Sequence, residues 1–114
     1  MGGNQELGRA GEDAAAAWYE HHGYVVLDRN WRTRSGEMDL ICHRDDTVVF
    51  CEVKTRSTKR FGSGMEAVDR RKQQRLRLLG AQWLQQQPEH YAEIRFDVAD
   101  VNASGHLEIL EGCF

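Results

Sequence analysis

Apolar residues recur along the chain in two periods, and the changes of period divide it into seven elements. Leu7, Ala10, Ala14, Ala17 and Trp18 return at spacings of three and four over residues 5–22, one face of a helix, and the alanines favour that state. Gly23 stops it. "YVVLDRNW", residues 24–31, is β-branched and aromatic and reads as a strand whose Asp-Arg-Asn end runs out into a polar loop, "RTRSG". Residues 37–43 and 47–54 follow as two strands around the Asp-rich turn "RDDT". "TRSTKRFGSG", residues 55–64, has the glycines, serines and charges of a mobile connection. Val68, Leu76, Leu79, Trp83 and Leu84 then line one stripe of a long helix from Met65 to Gln87, which Pro88 ends. "EIRFDVADV", residues 93–101, alternates Ile94, Phe96 and Val98 against Arg95, Asp97 and Ala99. Residues 106–110 make a short edge strand after an Asn-Ala-Ser-Gly turn. The order α-β-β-β-α-β-β, with no repeat and no long linker, predicts an α/β fold in one domain of 114 residues, a mixed central sheet flanked by helices.

The central hairpin carries charge where a buried strand should not. A two-residue turn at Asp45 and Asp46 sets Arg44 opposite Thr47 and, further along, Leu40 opposite Cys51 and Asp39 opposite Glu52. One face then collects Met38, Leu40, Cys42, Val49, Cys51 and Val53, all apolar, and is the side expected to meet the core. The other collects His43, Val48, Ile41 and Phe50. At its end away from the turn it carries Asp39 facing Glu52 and Glu37 facing Lys54. Facing carboxylates, with β-carbons roughly 4.5–5.5 Å apart, repel each other. A bound cation reverses the sign of that interaction. Oxygen ligands without Cys or His suit a hard ion, and Mg²⁺ or Mn²⁺ better than a many-ligand Ca²⁺ cage. Lys54 would project beside the ion, to orient a water or stabilise charge on a phosphate, while Glu37 either joins this end or only pairs with Lys54. A three-residue loop would slip the register and separate the carboxylates, and a plain set of exposed ion pairs would need no ion at all.

Charge adds a second feature. The net charge is -3, yet Lys54 to Arg77 holds nine basic residues (Lys54, Arg56, Lys59, Arg60, Arg70, Arg71, Lys72, Arg75 and Arg77) against Glu66 and Asp69. Such a segment in an acidic protein is either a footprint for a polyanion or a solvated helix face. Apolar content of 40% and charged content of 29% are those of an ordinary globular chain. No apolar run approaches the roughly 20 residues that span a bilayer, and "MGGNQELGRAGED" lacks the segments of a signal peptide, so no membrane is expected and the expected address is the cytoplasm. Cys42, Cys51 and Cys113 have no paired spacing, and Cys42 and Cys51 read as plain buried thiols. The five histidines form no metal-binding pattern and read as mostly surface residues.

Asp39, twelve intervening residues and Glu52-Val53-Lys54 resemble the PD-(D/E)xK signature of restriction-endonuclease-like enzymes and Holliday-junction resolvases. More closely, "GRAGEDAA", "GEMDLI", "VVFCEVKTR", "RFGSGMEAV", "RRKQQRLR" and "RFDV", an ordered set over residues 8–98, resemble the bacterial YraN family of endonuclease-like proteins. The resemblance implies a restriction-endonuclease-like three-layer core with Mg²⁺-dependent phosphodiester cleavage as its ancestral chemistry. On it, Asp39 and Glu52 match the two metal-binding acids and Lys54 the catalytic lysine. Glu12, in the first helix, matches the glutamate that completes the metal site in resolvase-like members. The signature's proline is replaced by Met38.

These features point to a metal-dependent nuclease. Asp39, Glu52, Glu12 and the Val53 carbonyl would hold Mg²⁺, with Mn²⁺ as a substitute, and Lys54 would act on the attacking water or the phosphate. Arg56, Lys59 and Arg60 in the loop and Arg70, Arg71, Lys72 and Arg75 on the second helix would hold nucleic-acid backbone, DNA above all. Backbone contacts do not read sequence, so the expected substrate is structured or branched DNA, in repair or recombination. Gln73 is either a further group near the metal or a solvated helix glutamine, and Arg32, Arg34 and Trp31 could touch a strand, with Trp31 as easily a core residue. Two rivals remain at this level: a nucleic-acid-binding module of the same fold without turnover, and a small interaction protein that forms a homodimer through the helix of residues 65–87.

Overall fold

The computed structural model describes residues 2–56, 68–102 and 104–114, with side chains from Gly8 onward. Its elements are α1 (Gly2–His21), β1 (Val25–Thr33), β2 (Gly36–Arg44), β3 (Thr47–Thr55), α2 (Arg70–Gln85), β4 (Glu93–Val101) and β5 (Leu107–Leu110), the predicted order. All strands join one sheet in the order β1-β2-β3-β4-β5. Hairpin connections make β1–β2, β2–β3 and β4–β5 antiparallel. β3 and β4 are parallel, an arrangement that needs a crossover, which α2 supplies.

The sheet has a core on each face. Ala15, Ala16 and Tyr19 of α1 pack on Leu40, Cys42, Val49, Cys51 and Ala99. Leu76, Leu79 and Trp83 of α2 pack on Ile41, Val48, Phe50, Phe96 and Val98. The helix comes close at Gly80, where a β-carbon would lie 3.2 Å from the Phe50 ring and 3.3 Å from that of Phe96. Both faces of the central hairpin are therefore interior, not only the wholly apolar one. α2 returns over the face that ends in charge and buries Ile41, Val48 and Phe50.

The register of the hairpin is the expected one. Arg44 faces Thr47, Asp45 takes a positive φ of 53° in the two-residue turn, and the ladder runs to Leu40 opposite Cys51. Other expectations need correction. β1 continues through Thr33, which faces Gly36, so "RTRSG" is mostly strand and a tight Arg34–Ser35 turn. Gln82 of α2 accepts from Thr33 Oγ1 at 3.0 Å and donates to Ser35 Oγ at 3.2 Å, which ties that turn to the helix. α2 starts at Arg70 because the Asp69 carboxylate caps it, accepting from the Lys72 N–H at 2.9 Å. Residues 65–67 of the longer predicted helix, and 57–64 of the expected connection, lie outside the described residues. Met38 joins the α2-side core and not the face of Leu40. Regular alternation fails there: the β2–β3 ladder has ended, and Asn30, flanked by the partners of Leu40 and Met38, has a φ of 51°.

In β4 the expected polar face is also buried. Asp97 is fully buried and accepts from Tyr19 Oη at 2.6 Å, Arg95 Nε at 2.9 Å and the Gly112 N–H at 3.0 Å. Asp100 is buried against Arg56. Cys42, Cys51 and Cys113 are free thiols, and burial pushes the Cys42 thiol up to about 12. No helix among the described residues is long and apolar enough to cross a membrane.

Candidate functional site

At the end of the hairpin away from the Asp45–Asp46 turn, α1, β2, β3 and the start of α2 enclose a cleft of about 470 Å³. Glu12, Glu37, Asp39, Glu52, Lys54, Lys72 and Arg75 line it, with Gly8, Val53, Thr55 and Leu76. The strands part here. The Val53 N–H, beyond the last ladder pair, is taken by Asp39 Oδ2 at 2.8 Å. Asp39 and Glu52 both line the cleft, although the ladder ends one pair before they would face each other. Burial first, and the Glu52 carboxyl second, hold the Asp39 proton on, raising its pKa from the ordinary 3.8 to about 8.

α1 brings in the third acid. Its backbone lies so close to β3 at Gly11 that a β-carbon would overlap Thr55 Oγ1. The next residue, Glu12, thereby reaches the cleft and accepts from Asn30 Nδ2 at 3.2 Å. Carboxylate oxygens of Glu12, Glu37 and Asp39 lie within 4.8 Å of one another, the one such acidic group among the described residues. Glu37 thus belongs with the acids. Its ion pair, at 2.8 Å, is with Arg32 and not with Lys54. The i, i+2 spacing of Glu37 and Asp39 on one strand was the signal for this.

Glu52 sits deeper, its side chain 8% exposed, in an ion pair with the Lys72 ammonium of α2. That contact lacks the alignment of a hydrogen bond. Lys72 was expected to face phosphate, and no local pattern announces its contact with an acid twenty residues earlier.

The remaining basic candidates divide. Arg75 lines the cleft, with its side-chain stem over Gly36, 3.1 Å from where a β-carbon would be. Gly36, at a φ of 143°, leaves room for it. Lys54 is exposed at the rim, and Arg70 and Arg71 are exposed on the first turn of α2. Arg56 instead grips Asp100 through both Nε and Nη2, at 3.1 and 2.8 Å, with its side chain 20% exposed. Lys59 and Arg60 lie outside the described residues. Arg77 lies over Phe96 and Phe114. Gln73 donates to the Val68 carbonyl at 3.0 Å and does not line the cleft, and Trp31 packs against the α2-side core.

Four carboxylates therefore share the cleft with Lys54, Lys72 and Arg75, and neither Cys nor His is among its lining residues. An all-oxygen donor set of this kind fits a hard divalent cation.

Comparison with known sequences agrees in extent with this description. A UPF0102 protein of Frankia casuarinae is 50% identical over the full length of both chains. One from Parafrankia is 51% identical over 86% of this chain and 83% of its own, and one from Syntrophomonas wolfei is 47% identical over 86% and 85%. Residues 11–101, which hold every acid of the cleft, match the model of the uncharacterised protein family UPF0102, and the chain belongs to that family.

Proposed function

We propose that this protein is a Mg²⁺-dependent endonuclease that hydrolyses phosphodiester bonds in structured or branched DNA. The observation that carries the reading is the convergence of Glu12, Glu37, Asp39 and Glu52 with Lys54, Lys72 and Arg75 in one cleft. The resemblance of Asp39 and Glu52-Val53-Lys54 to the PD-(D/E)xK signature supports it.

Glu12, Asp39 and Glu52 would hold the ion, with Glu37 beside them. The donor set suits it, since a cation among these carboxylates offsets the burial and the neighbouring charge that hold the proton on Asp39. When bound, the metal supplies Lewis acidity at the phosphate and a more acidic water. The chain's own residues do the rest. The Val53 N–H fixes the Asp39 carboxylate in place. Lys54 presents an ammonium at the rim to a water or a phosphate oxygen. Arg75 in the cleft, and Arg70 and Arg71 exposed on the first turn of α2, would offer guanidinium groups to the DNA backbone. Contacts of that kind position a nucleic acid without reading its bases, so selection would be by shape, in repair or recombination. Cutting both strands would take a second copy.

The test is incubation with labelled duplex, single-stranded, flap and four-way-junction DNA, in Mg²⁺, Mn²⁺ or EDTA. Cleavage is expected with either metal and none with EDTA, and Lys54→Ala should slow it by about 10²-fold or more. Salt-sensitive binding without cleavage would instead mark a catalytically silent nucleic-acid-binding module. Neither binding nor a metal response would leave the interaction-protein reading.

A further inference from the structure

Glu52 and Lys72 form an unequal pair. The acid's side chain is 8% exposed and the lysine's 40%, so the carboxylate lies inside and the ammonium at the mouth. A carboxylate that deep is stable as an anion only with a cation beside it. In the protein alone that cation is Lys72. The Lys72 backbone is fixed by the Asp69 cap, whereas its four-carbon stem is free to swing toward solvent. The acids that would meet a metal stand beside Glu52. Asp39 accepts the N–H of Val53, the residue next to Glu52, and Glu12 and Glu37 lie within 4.8 Å of Asp39. A dication placed among them would sit next to the ammonium, and two cations on one carboxylate repel.

We propose that Lys72 is an internal cation that holds Glu52 in the metal-free cleft and yields it to a divalent metal, so that metal uptake and release of the Lys72 ammonium are one exchange. This rests on the metal-site reading above. It makes Lys72 a regulator of metal affinity at this site, a role distinct from holding phosphate. Affinity is set below what the four carboxylates alone would give, and the cleft does not collapse when the ion leaves.

The test is Mn²⁺ titration by calorimetry, paired with thermal unfolding, on the wild type, Lys72→Met, Lys72→Arg, Glu52→Gln and the Lys72→Met/Glu52→Gln double variant. Lys72→Met should tighten Mn²⁺ binding by about tenfold. Its metal-free form should unfold at a lower temperature than the wild type and recover with Mn²⁺. Lys72→Arg should weaken Mn²⁺ binding, because a guanidinium fork grips the carboxylate more firmly. In the Glu52→Gln background, Lys72→Met should bring no further gain. Wild-type Mn²⁺ affinity in Lys72→Met overturns the exchange, and so does a gain that persists without the Glu52 charge. Should the Met variant not fold, unchanged affinity in Lys72→Arg overturns it equally. Mn²⁺ binding that ignores Lys72 removes only the exchange, whereas no Mn²⁺ binding to any of these proteins removes the metal site and the exchange with it.

Discussion

Asp39 joins the two halves of the cleft: it accepts the Val53 N–H, lines the cleft with Glu52 and shares a cluster with Glu12 and Glu37. Its titration is the most local consequence. In the metal-free protein its carboxyl should titrate near 8 by carbon-detected NMR, and a midpoint in the ordinary carboxylate range would show that burial and Glu52 do not act on it. The unfolded chain ionises Asp39 near 3.8 while the native protein keeps the proton until about 8, so the contribution of this group is full below about pH 4 and is lost as pH rises toward 8. Denaturant unfolding of the metal-free protein should show that loss, and Asp39→Asn should flatten it. Tyr19→Phe makes a separate case, because it removes a donor from fully buried Asp97. It should cost about 1.5–3 kcal/mol in urea unfolding with the native spectrum retained. That Asp39 and Glu52 come to one cleft was legible in the sequence because two carboxylates at one end of a hairpin contradict sheet energetics, although the ladder ends before they pair. The Tyr19–Asp97 contact was not, since its partners are 78 residues apart and a polar residue in an alternating strand reads as solvent-facing. β4 hides that face because it lies between β3 and β5 and beneath α1.

Elements place these residues, and the two-residue turn does the most. It fixes which residues of β2 and β3 oppose, and a sequence with Asp-Asp at that position gives the register directly. What it does not give is where the ladder stops. The parting of the strands after Leu40 and Cys51, and the turn of Met38 to the α2 side, go with the left-handed Asn30 and with the Asp39 carboxylate that accepts the Val53 N–H. The start of α2 was misplaced for a similar reason: apolar periodicity extends the helix as far as the stripe permits, whereas the Asp69 cap decides where it begins. The approach of α1 to β3 carries a prediction. Gly11→Ala should drive a methyl against Thr55, cost about 1–3 kcal/mol in thermal unfolding and weaken Mn²⁺ binding by displacing Glu12. Thr55→Ala in the same chain should restore much of both. Unchanged stability in Gly11→Ala would show that the close approach is not needed.

For the whole molecule, the layered order of helix, sheet and helix was legible from seven periodic segments. The cleft was not, because it forms only where α1 and α2 converge from opposite faces on one end of the sheet. Charge is arranged on the same scale. A protein of net charge -3 keeps Lys54, Lys72 and Arg75 in one acidic cleft and exposes Arg70 and Arg71 at the start of the helix that borders it. Duplex binding should therefore weaken with salt, and Arg70→Ala/Arg71→Ala should lower the log–log slope by about 2 if each contacts one phosphate. An unchanged slope would place the DNA elsewhere. The most direct test is the rate at which a labelled four-way junction is cut in Mg²⁺ by the wild type and by folded Asp39→Ala. We expect metal-dependent cutting that Asp39→Ala abolishes, whereas cutting that survives in Asp39→Ala, or a wild type that binds the junction and leaves it intact, would contradict the account.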